Sequence, residues 1–131
     1  MKRTTFFKIL TFIYVVVVGY LCFTNFESLP TAPGKFLGLP ADKVVHFVMF
    51  FPFPLLVYLS FPMEKKKFWS IFGLLILIFA IGCVMAGITE YVQGKLPYRT
   101  MDIMDLRADM HGMMLATLIC FLIWIFSKKH E

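Results

Sequence analysis

Acidic and histidine side chains lie at the ends of otherwise apolar stretches in this chain of 131 residues. Ionisable groups are costly near hydrocarbon, and those that occur there usually line a binding site or a water-filled cavity. Asp42 and His46 lie at the start of the second apolar stretch, and their i, i+4 spacing places them on one helix face. Asp105 and Asp109 have the same spacing at the start of the fourth stretch. The third stretch and the connector after it add three polar residues, Glu90, Gln93 and Arg99.

The chemistry of such a cluster depends on which charges meet. Carboxylates packed together repel one another, whereas Arg99, Lys43 or a bound cation would neutralise them. The cluster must therefore hold protons, a metal ion or a cationic group of a ligand, and Arg99 could bind a phosphate or carboxylate through two hydrogen bonds. Each residue also has a structural interpretation, in which the network ties helices together. Asp42 and Asp102 lie where helix N-caps are expected, while Asp109 lies too deep in its helix to cap it.

The composition is that of a membrane protein. Hydrophobic residues make up 60% of the chain, compared with about 45–50% apolar residues in typical soluble domains. A bilayer core of about 30 Å is crossed by about 20 helical residues, and the chain has four apolar runs of similar length. We therefore predict an all-α membrane protein, a bundle of four transmembrane helices that forms a single domain over residues 1–131. The predicted spans are approximately 8–26, 43–61, 68–91 and 105–126.

Basic residues are unevenly distributed between the two predicted sides of the membrane. The termini and the loop between the second and third spans carry eight basic and two acidic residues, and the other side carries five basic and six acidic ones. Because short cytoplasmic loops are enriched in Lys and Arg, both termini are predicted to be cytoplasmic, that is N-in and C-in. The polar cluster then faces the extracytoplasmic side. This sorting of charge also argues against a nucleic-acid partner.

Local features refine the individual spans. Pro52 and Pro54 predict a kink in the second span, because proline removes a backbone donor and clashes with the carbonyl four residues earlier. The connector 27–41 is rich in Pro and Gly and is predicted to be a non-helical loop. The first span carries no motif and is predicted to be an uncleaved helix that anchors and packs. Three glycines of the third span are candidates for close helix contact: Gly73, Gly82 and Gly87.

One motif suggests a different chemistry. Asp102-x-x-Asp105-x-x-x-Asp109 has the spacing with which intramembrane prenyltransferases hold Mg²⁺ against a lipid diphosphate. The second Asp-rich motif of those enzymes is missing unless Asp42-x-x-x-His46 replaces it, and four helices are fewer than that fold uses. A metal-dependent membrane enzyme acting on polyprenyl or lipid diphosphates, with a divalent cation as cofactor, is therefore the alternative interpretation.

The order and spacing of the polar residues resemble the VanZ-like family. The matching residues are Asp42-Lys43-Val44-Val45-His46-Phe47, Glu90-x-x-Gln93, Arg99-x-x-Asp102-x-x-Asp105 and Gly112. The family is named for a protein of glycopeptide-resistance clusters that confers low-level teicoplanin resistance. Two positions depart from the family pattern, since Asp109 stands where Asn is common and Ala116 where a second Gly is common. The resemblance implies a multi-pass protein of a bacterial cytoplasmic (inner) membrane with a role in the cell envelope.

We therefore expect a non-enzymatic protein without a cofactor, whose extracytoplasmic polar site contacts membrane lipids. Its expected ligand is a lipid-linked or glycopeptide polar group, such as that of a lipid-linked peptidoglycan precursor. Binding is expected to contribute to teicoplanin resistance or to envelope homeostasis. The predicted ligand-binding residues are Asp42, Lys43, His46, Glu90, Gln93, Arg99, Asp102, Asp105 and Asp109.

Overall fold

A computed structural model describes residues 1–25, 35–36 and 38–130 of the chain. Within these residues the protein is helical apart from one short hairpin. Its elements in chain order are α1 (Arg3–Phe23), β1 (Lys35–Phe36), β2 (Leu39–Pro40), α2 (Ala41–Phe50), α3 (Pro52–Leu59), α4 (Phe68–Gln93) and α5 (Ile103–Lys129). Four helical segments are long and apolar enough to cross a membrane, and α2 and α3 together form one of them. The predicted all-α fold with four membrane-spanning segments is confirmed.

The observed helices extend beyond the apolar runs from which the spans were predicted. The first begins at Arg3 rather than at residue 8, and the last begins at Ile103 and continues to Lys129. Backbone hydrogen bonding does not require apolar side chains, so the basic ends of these helices remain helical. The outward faces are strongly apolar, as the 71% exposure of Phe12 and the 78% exposure of Trp69 illustrate. Such faces suit contact with lipid.

The second span is broken where the prolines predicted a kink. The helix ends at Phe50, and a new helix begins at Pro52. The Phe51 amide still donates to the Phe47 carbonyl at 3.0 Å, but Pro52 and Pro54 have no N–H to donate. The two halves of the broken span pack against different helices. Helix α2 packs mainly on α5, whereas α3 packs on both α5 and α1.

Contacts along α1 show how the spans alternate in direction. Arg3, at the start of α1, forms a salt bridge with Glu64, which follows α3. This guanidinium holds the pKa of the Glu64 carboxyl below its usual range. Further along α1, the Tyr14 hydroxyl donates to the Met49 carbonyl at 2.6 Å. The end of α1 meets the end of α4, where Gln93 Nε2 donates to the Cys22 carbonyl. The starts of α2 and α5 meet through Lys43 and Asp105, and we call the end of the bundle that contains these residues the polar end.

Two glycines allow helices to approach closely. A methyl group on Gly112 of α5 would lie 2.4 Å from the Phe47 carbonyl oxygen of α2, and one on Gly82 of α4 would lie 2.4 Å from the Met113 sulfur. Of the three candidate glycines in the third span, Gly82 is confirmed. The expectation was wrong for Gly73 and Gly87, because a methyl group on either would meet no other described element within 4 Å.

The connector before α2 ends in a small antiparallel hairpin. Lys35 pairs with Pro40 and Phe36 with Leu39. Gly38 between the strands has φ +79°, a conformation that glycine adopts without strain. The rest of the predicted loop, residues 27–34 and 37, lies outside the described residues.

Candidate functional site

Lys43 is the centre of an acidic cluster at the polar end. Its ammonium donates to Asp42 Oδ2 at 2.8 Å and to Asp102 Oδ2 at 2.6 Å, and it also donates to Asp105 Oδ1. The side chain of Asp105 is 13% exposed, whereas those of Asp42 and Asp102 are 61% and 41% exposed. One cation therefore joins three carboxylates from two helix starts, and we call this group the lysine cluster.

The helix starts position the lysine cluster. Asp102 caps α5 by accepting a hydrogen bond from the Met104 amide at 2.8 Å, as predicted. Lys43 beside Asp102 holds the pKa of that carboxyl below its usual range, and the Met104 amide adds to the effect. The N-cap interpretation of Asp42 was wrong, because α2 already begins at Ala41 and Asp42 lies in its first turn. There it pairs with its neighbour Lys43 and still benefits from the positive end of the helix dipole.

A second cluster is buried one turn deeper. His46 Nδ1 lies 2.9 Å from Asp109 Oδ1 and 3.8 Å from Glu90 Oε1. Glu90 and Asp109 are 1% and 0% exposed. His46 Nε2 faces Asp105 Oδ2 at 3.4 Å, so Asp105 connects this group to the lysine cluster. We call His46, Glu90 and Asp109 the histidine cluster.

The two clusters follow one line of contact between α2 and α5. Asp105 meets Lys43 and Asp109 meets His46, and one turn further Gly112 meets the backbone of Phe47. The shared helix face predicted from the spacing of the two aspartates is therefore confirmed. Because Gly112 has no side chain, the helices approach closely enough for the charged pairs above it to form.

Gln93 and Arg99 both donate hydrogen bonds to the end of α1. Gln93 Nε2 donates to the Cys22 carbonyl at 2.8 Å, and Arg99 donates to the carbonyls of Leu21 at 2.8 Å and Thr24 at 3.1 Å. Lys43 neutralises three of the carboxylates at this end, and the expectation that Arg99 neutralises a carboxylate stays a prediction. The last carbonyls of a helix have no partner within it, and side chains that donate to them stabilise the helix end.

Helix α1 is thus more than an anchor. The Tyr98 hydroxyl donates to the Phe23 carbonyl at 2.7 Å, next to the contacts of Gln93 and Arg99. These three donors cover the end of α1 from α4 and the connector after it. This role could not be predicted from residue types, because backbone carbonyls are present at every residue.

Two cavities border the clusters. A groove of about 480 Å³ lies between α2 and α5, and we call it the α2–α5 groove. Its apolar lining comes from Val44, Phe47, Met104 and Ala108. Its basic side chains are Lys43, Arg107 and His111. A second cavity of about 310 Å³ opens beside His46, towards Gln93 and Arg99.

Comparison with known proteins identifies the family. The family model described as VanZ/LLP1 matches residues 3–125, nearly the whole chain. The chain belongs to the VanZ/LLP1 family. The uncharacterized protein C11E3.10 of Schizosaccharomyces pombe is 34% identical to this chain over 79 residues. That match covers 60% of this chain and 45% of the yeast protein, so the chain spans about half the length of this curated relative. No solved structure matches the chain.

The VanZ-like polar residues separate into two groups in the structure. Seven of the nine predicted site residues form the two clusters, while the other two, Gln93 and Arg99, bind the end of α1. Asp109, where the resemblance led us to expect Asn, contributes a buried carboxylate next to His46. Whether these residues bind a ligand stays a prediction.

Two residues of the α2–α5 groove were not predicted from the sequence. Arg107 and His111 are spaced i, i+4 on an otherwise apolar face of α5, and both line the groove. Arg107 contacts the Met104 sulfur at 3.6 Å, which keeps its guanidinium over the groove. Among the described residues neither Arg107 nor His111 forms a salt bridge. The pattern that could have revealed them is this basic pair facing away from the carboxylates.

Proposed function

We propose that this VanZ-like protein binds the anionic head group of a membrane-embedded amphiphile in the α2–α5 groove. The observation that carries the proposal is the composition of the groove, an apolar surface bordered by Arg107 and His111. Lipid or isoprenoid chains suit the apolar part, and a phosphate or carboxylate suits the basic part. The ligand class includes a lipid-linked peptidoglycan precursor and a glycopeptide with a lipid anchor.

The clusters behind the groove support this proposal by fixing its walls. Lys43 joins α2 to α5 through Asp102 and Asp105, so both walls of the groove are held at the polar end. A site with walls held in place loses less conformational freedom when it binds a ligand. The ammonium of Lys43 is already engaged by three carboxylates, which leaves Arg107 and His111 to bind the anion.

The proposed location is the extracytoplasmic face of a bacterial cytoplasmic membrane. The excess of Lys and Arg at the opposite end of the bundle supports this orientation. Binding there would alter susceptibility to teicoplanin or the homeostasis of the envelope. Because one relative comes from a yeast, we define the ligand by its chemistry, as an anionic amphiphile.

The orientation is tested by cysteine labelling in intact cells. Lys95→Cys at the polar end is expected to react with a membrane-impermeant maleimide, and Lys65→Cys at the opposite end is expected to react only after the cells are opened. Both positions are exposed. Both variants are made in a background in which Cys22, Cys83 and Cys120 are replaced by alanine. Labelling of position 65 but not position 95 in intact cells would reverse the orientation and move the proposed site to the cytoplasm.

Ligand binding is tested with two probes that differ only in charge, a polyprenyl phosphate and the polyprenol of the same length. The wild-type protein in nanodiscs is expected to bind the phosphate more tightly. Arg107→Gln combined with His111→Gln is expected to weaken binding of the phosphate about tenfold or more, the usual size of a lost hydrogen bond to a charged group. Binding of the polyprenol should be unchanged.

Lys95→Gln is the matched control for this experiment. It removes an exposed basic residue near the polar end whose ammonium lies over the Tyr91 ring, outside the groove. Equal loss of phosphate binding in this control would indicate a general surface charge effect and contradict the proposal. The same variants can be expressed in cells whose teicoplanin susceptibility depends on the protein. If binding contributes to resistance, the double variant should lose resistance and Lys95→Gln should keep it.

A metal-dependent enzyme acting on lipid diphosphates is the second candidate. The carboxylates beside the groove favour it, but Lys43 lies between Asp102 and Asp105, where Mg²⁺ would have to bind in the motif predicted from the sequence. A polyprenyl diphosphate incubated with the protein and Mg²⁺ is therefore expected to remain intact. Release of phosphate would favour the enzyme.

A further inference from the structure

The histidine cluster has the side chains and geometry of a metal site. One ligand atom from each of His46, Glu90 and Asp109 can be chosen so that all three lie within 4.8 Å of one another. Ligands of one zinc ion lie at most about 4.2 Å apart, since each bond is about 2.1 Å long. A small rotation of the side chains is therefore enough to bring the three atoms onto one ion.

Two buried oxygens in this cluster have no hydrogen-bond partner among the residues that the structure describes. They are Glu90 Oε1 and Asp109 Oδ2, and both belong to side chains that are almost completely buried. A buried carboxylate oxygen without a partner is destabilising, because it has lost its hydration and gained no hydrogen bond in return. Among the described residues, His46 is the only basic side chain within 4 Å of these two carboxylates. The cluster therefore has two acidic groups and a single imidazole to balance them.

The lysine cluster shows the contrasting arrangement. There the ammonium of Lys43 already lies among Asp42, Asp102 and Asp105 and donates to each of them. A metal ion in that cluster would have to displace the ammonium. The histidine cluster contains no such group, so its charge is balanced by protons or by a cation.

The orientation of the imidazole favours a cation. Asp105 Oδ2 faces His46 Nε2 at 3.4 Å, so a hydrogen on Nε2 is directed towards this carboxylate. A carboxylate behind a histidine in this way fixes its tautomer and leaves the other nitrogen free to bind a metal. That nitrogen, Nδ1, lies 2.9 Å from Asp109 Oδ1. An imidazole lone pair and a carboxylate repel at this distance unless a proton or a metal ion bridges them.

We infer that His46, Glu90 and Asp109 bind one divalent transition-metal ion, with Zn²⁺ as the preferred ion. A nitrogen ligand with two carboxylates suits Zn²⁺ or Mn²⁺, whereas Mg²⁺ and Ca²⁺ prefer oxygen ligands alone. Zinc binds more tightly than manganese to such sites. The cavity beside His46 provides a path for the ion and room for a water ligand. The inference is independent of the proposed ligand, because none of the three residues lines the α2–α5 groove.

Metal binding is tested on the purified full chain without any lipid ligand. The protein is treated with a chelator, titrated with Zn²⁺, Mn²⁺ or Mg²⁺, and analysed for bound metal and melting temperature. We expect Zn²⁺ to saturate at one ion per chain and to raise the melting temperature, Mn²⁺ to bind more weakly, and Mg²⁺ to have no effect. Glu90→Gln and Asp109→Asn, which keep the size of each side chain, should abolish saturable zinc binding.

Asp42→Asn is the matched control, because it removes an exposed carboxylate from the lysine cluster and should leave zinc binding unchanged. A wild-type protein that melts cooperatively but binds no zinc would overturn the inference in favour of a protonated His46. Equal loss of zinc binding in Asp42→Asn would overturn it as well. If Asp109→Asn fails to fold, the wild-type titration decides, with saturation at one ion supporting the inference. Arg107→Gln should bind zinc normally, so failure of the lipid experiment and failure of the metal experiment are distinguishable.

Discussion

Alanine in place of Gly112 is expected to reduce the amount of folded protein and to lower its melting temperature strongly. The added methyl group would lie 2.4 Å from the Phe47 carbonyl oxygen, and the atom in its way belongs to a helix backbone that cannot rotate aside. Overpacking of this kind is destabilising by typically about 1–3 kcal/mol, and we expect the upper end here because the backbone must move. Moving α5 away from α2 also separates His46 from Asp109 at the next turn.

Gly87→Ala is the matched control for Gly112→Ala. Gly87 also lies inside a membrane-spanning helix, but a methyl group there would meet no atom of another described element within 4 Å. Alanine is favoured over glycine inside helices by about 0.5–1 kcal/mol, so this variant should be at least as stable as the wild type. Size-exclusion chromatography and thermal melting in detergent measure both effects. Similar melting temperatures for the two variants would show that α2 and α5 are not in close contact at Gly112.

Lys43→Gln is expected to have the second large effect. It removes the ammonium that joins α2 to α5 and leaves the largely buried Asp105 without its cation. Removing one partner of a buried ion pair is destabilising by roughly 3–5 kcal/mol. We expect the lower end of this range, because the Lys43 side chain is still 23% exposed. Lys95→Gln, which removes a basic residue without such partners, should melt like the wild type.

The effect of Lys43→Gln should depend on pH. In the wild type Lys43 lowers the pKa of Asp102. The carboxylate therefore stabilises the fold at pH values above the usual carboxyl pKa, and this stabilisation is lost as the pH falls through the lowered pKa. The variant lacks this contribution already at neutral pH. The two melting temperatures should therefore converge as pH falls below about 4. A constant difference from pH 7 to pH 3 would contradict the role assigned to Lys43.

The parts of the fold that follow from local rules were predictable from the sequence. Apolar length identified four spans, although the basic ends of the helices extend past it, as at Arg3. Pro52 and Pro54 identified the break in the second span, because the missing N–H is a property of the residue itself. Asp102 was identified as an N-cap because its side chain acts on its own helix.

Contacts between residues that are far apart in the sequence were harder to predict. Arg99 donates to the backbone carbonyls of Leu21 and Thr24, and these two contacts were not predicted. Any helix end offers unpaired carbonyls, so no residue type in α1 signals this contact. The role of Lys43 as the common partner of three carboxylates likewise depends on the angle between α2 and α5. The closest approach of the two helices lies at Gly112, whose role cannot be read from the charged residues.

The position of the ionisable residues at helix ends has a consequence for how the protein is made. Lys43 and His46 are synthesised 62 and 63 residues before their partners Asp105 and Asp109, so α2 enters the membrane before these two partners exist. Charged residues at the centre of an inserting helix are opposed by about 2.5–3.5 kcal/mol each, and much less near its ends. Because they lie near the start of α2, these residues can stay at the hydrated membrane surface until α5 has been synthesised. Closure of the α2–α5 contact is then a late step of biosynthesis, and a chain released before α5 would expose its unpaired charges to membrane quality control.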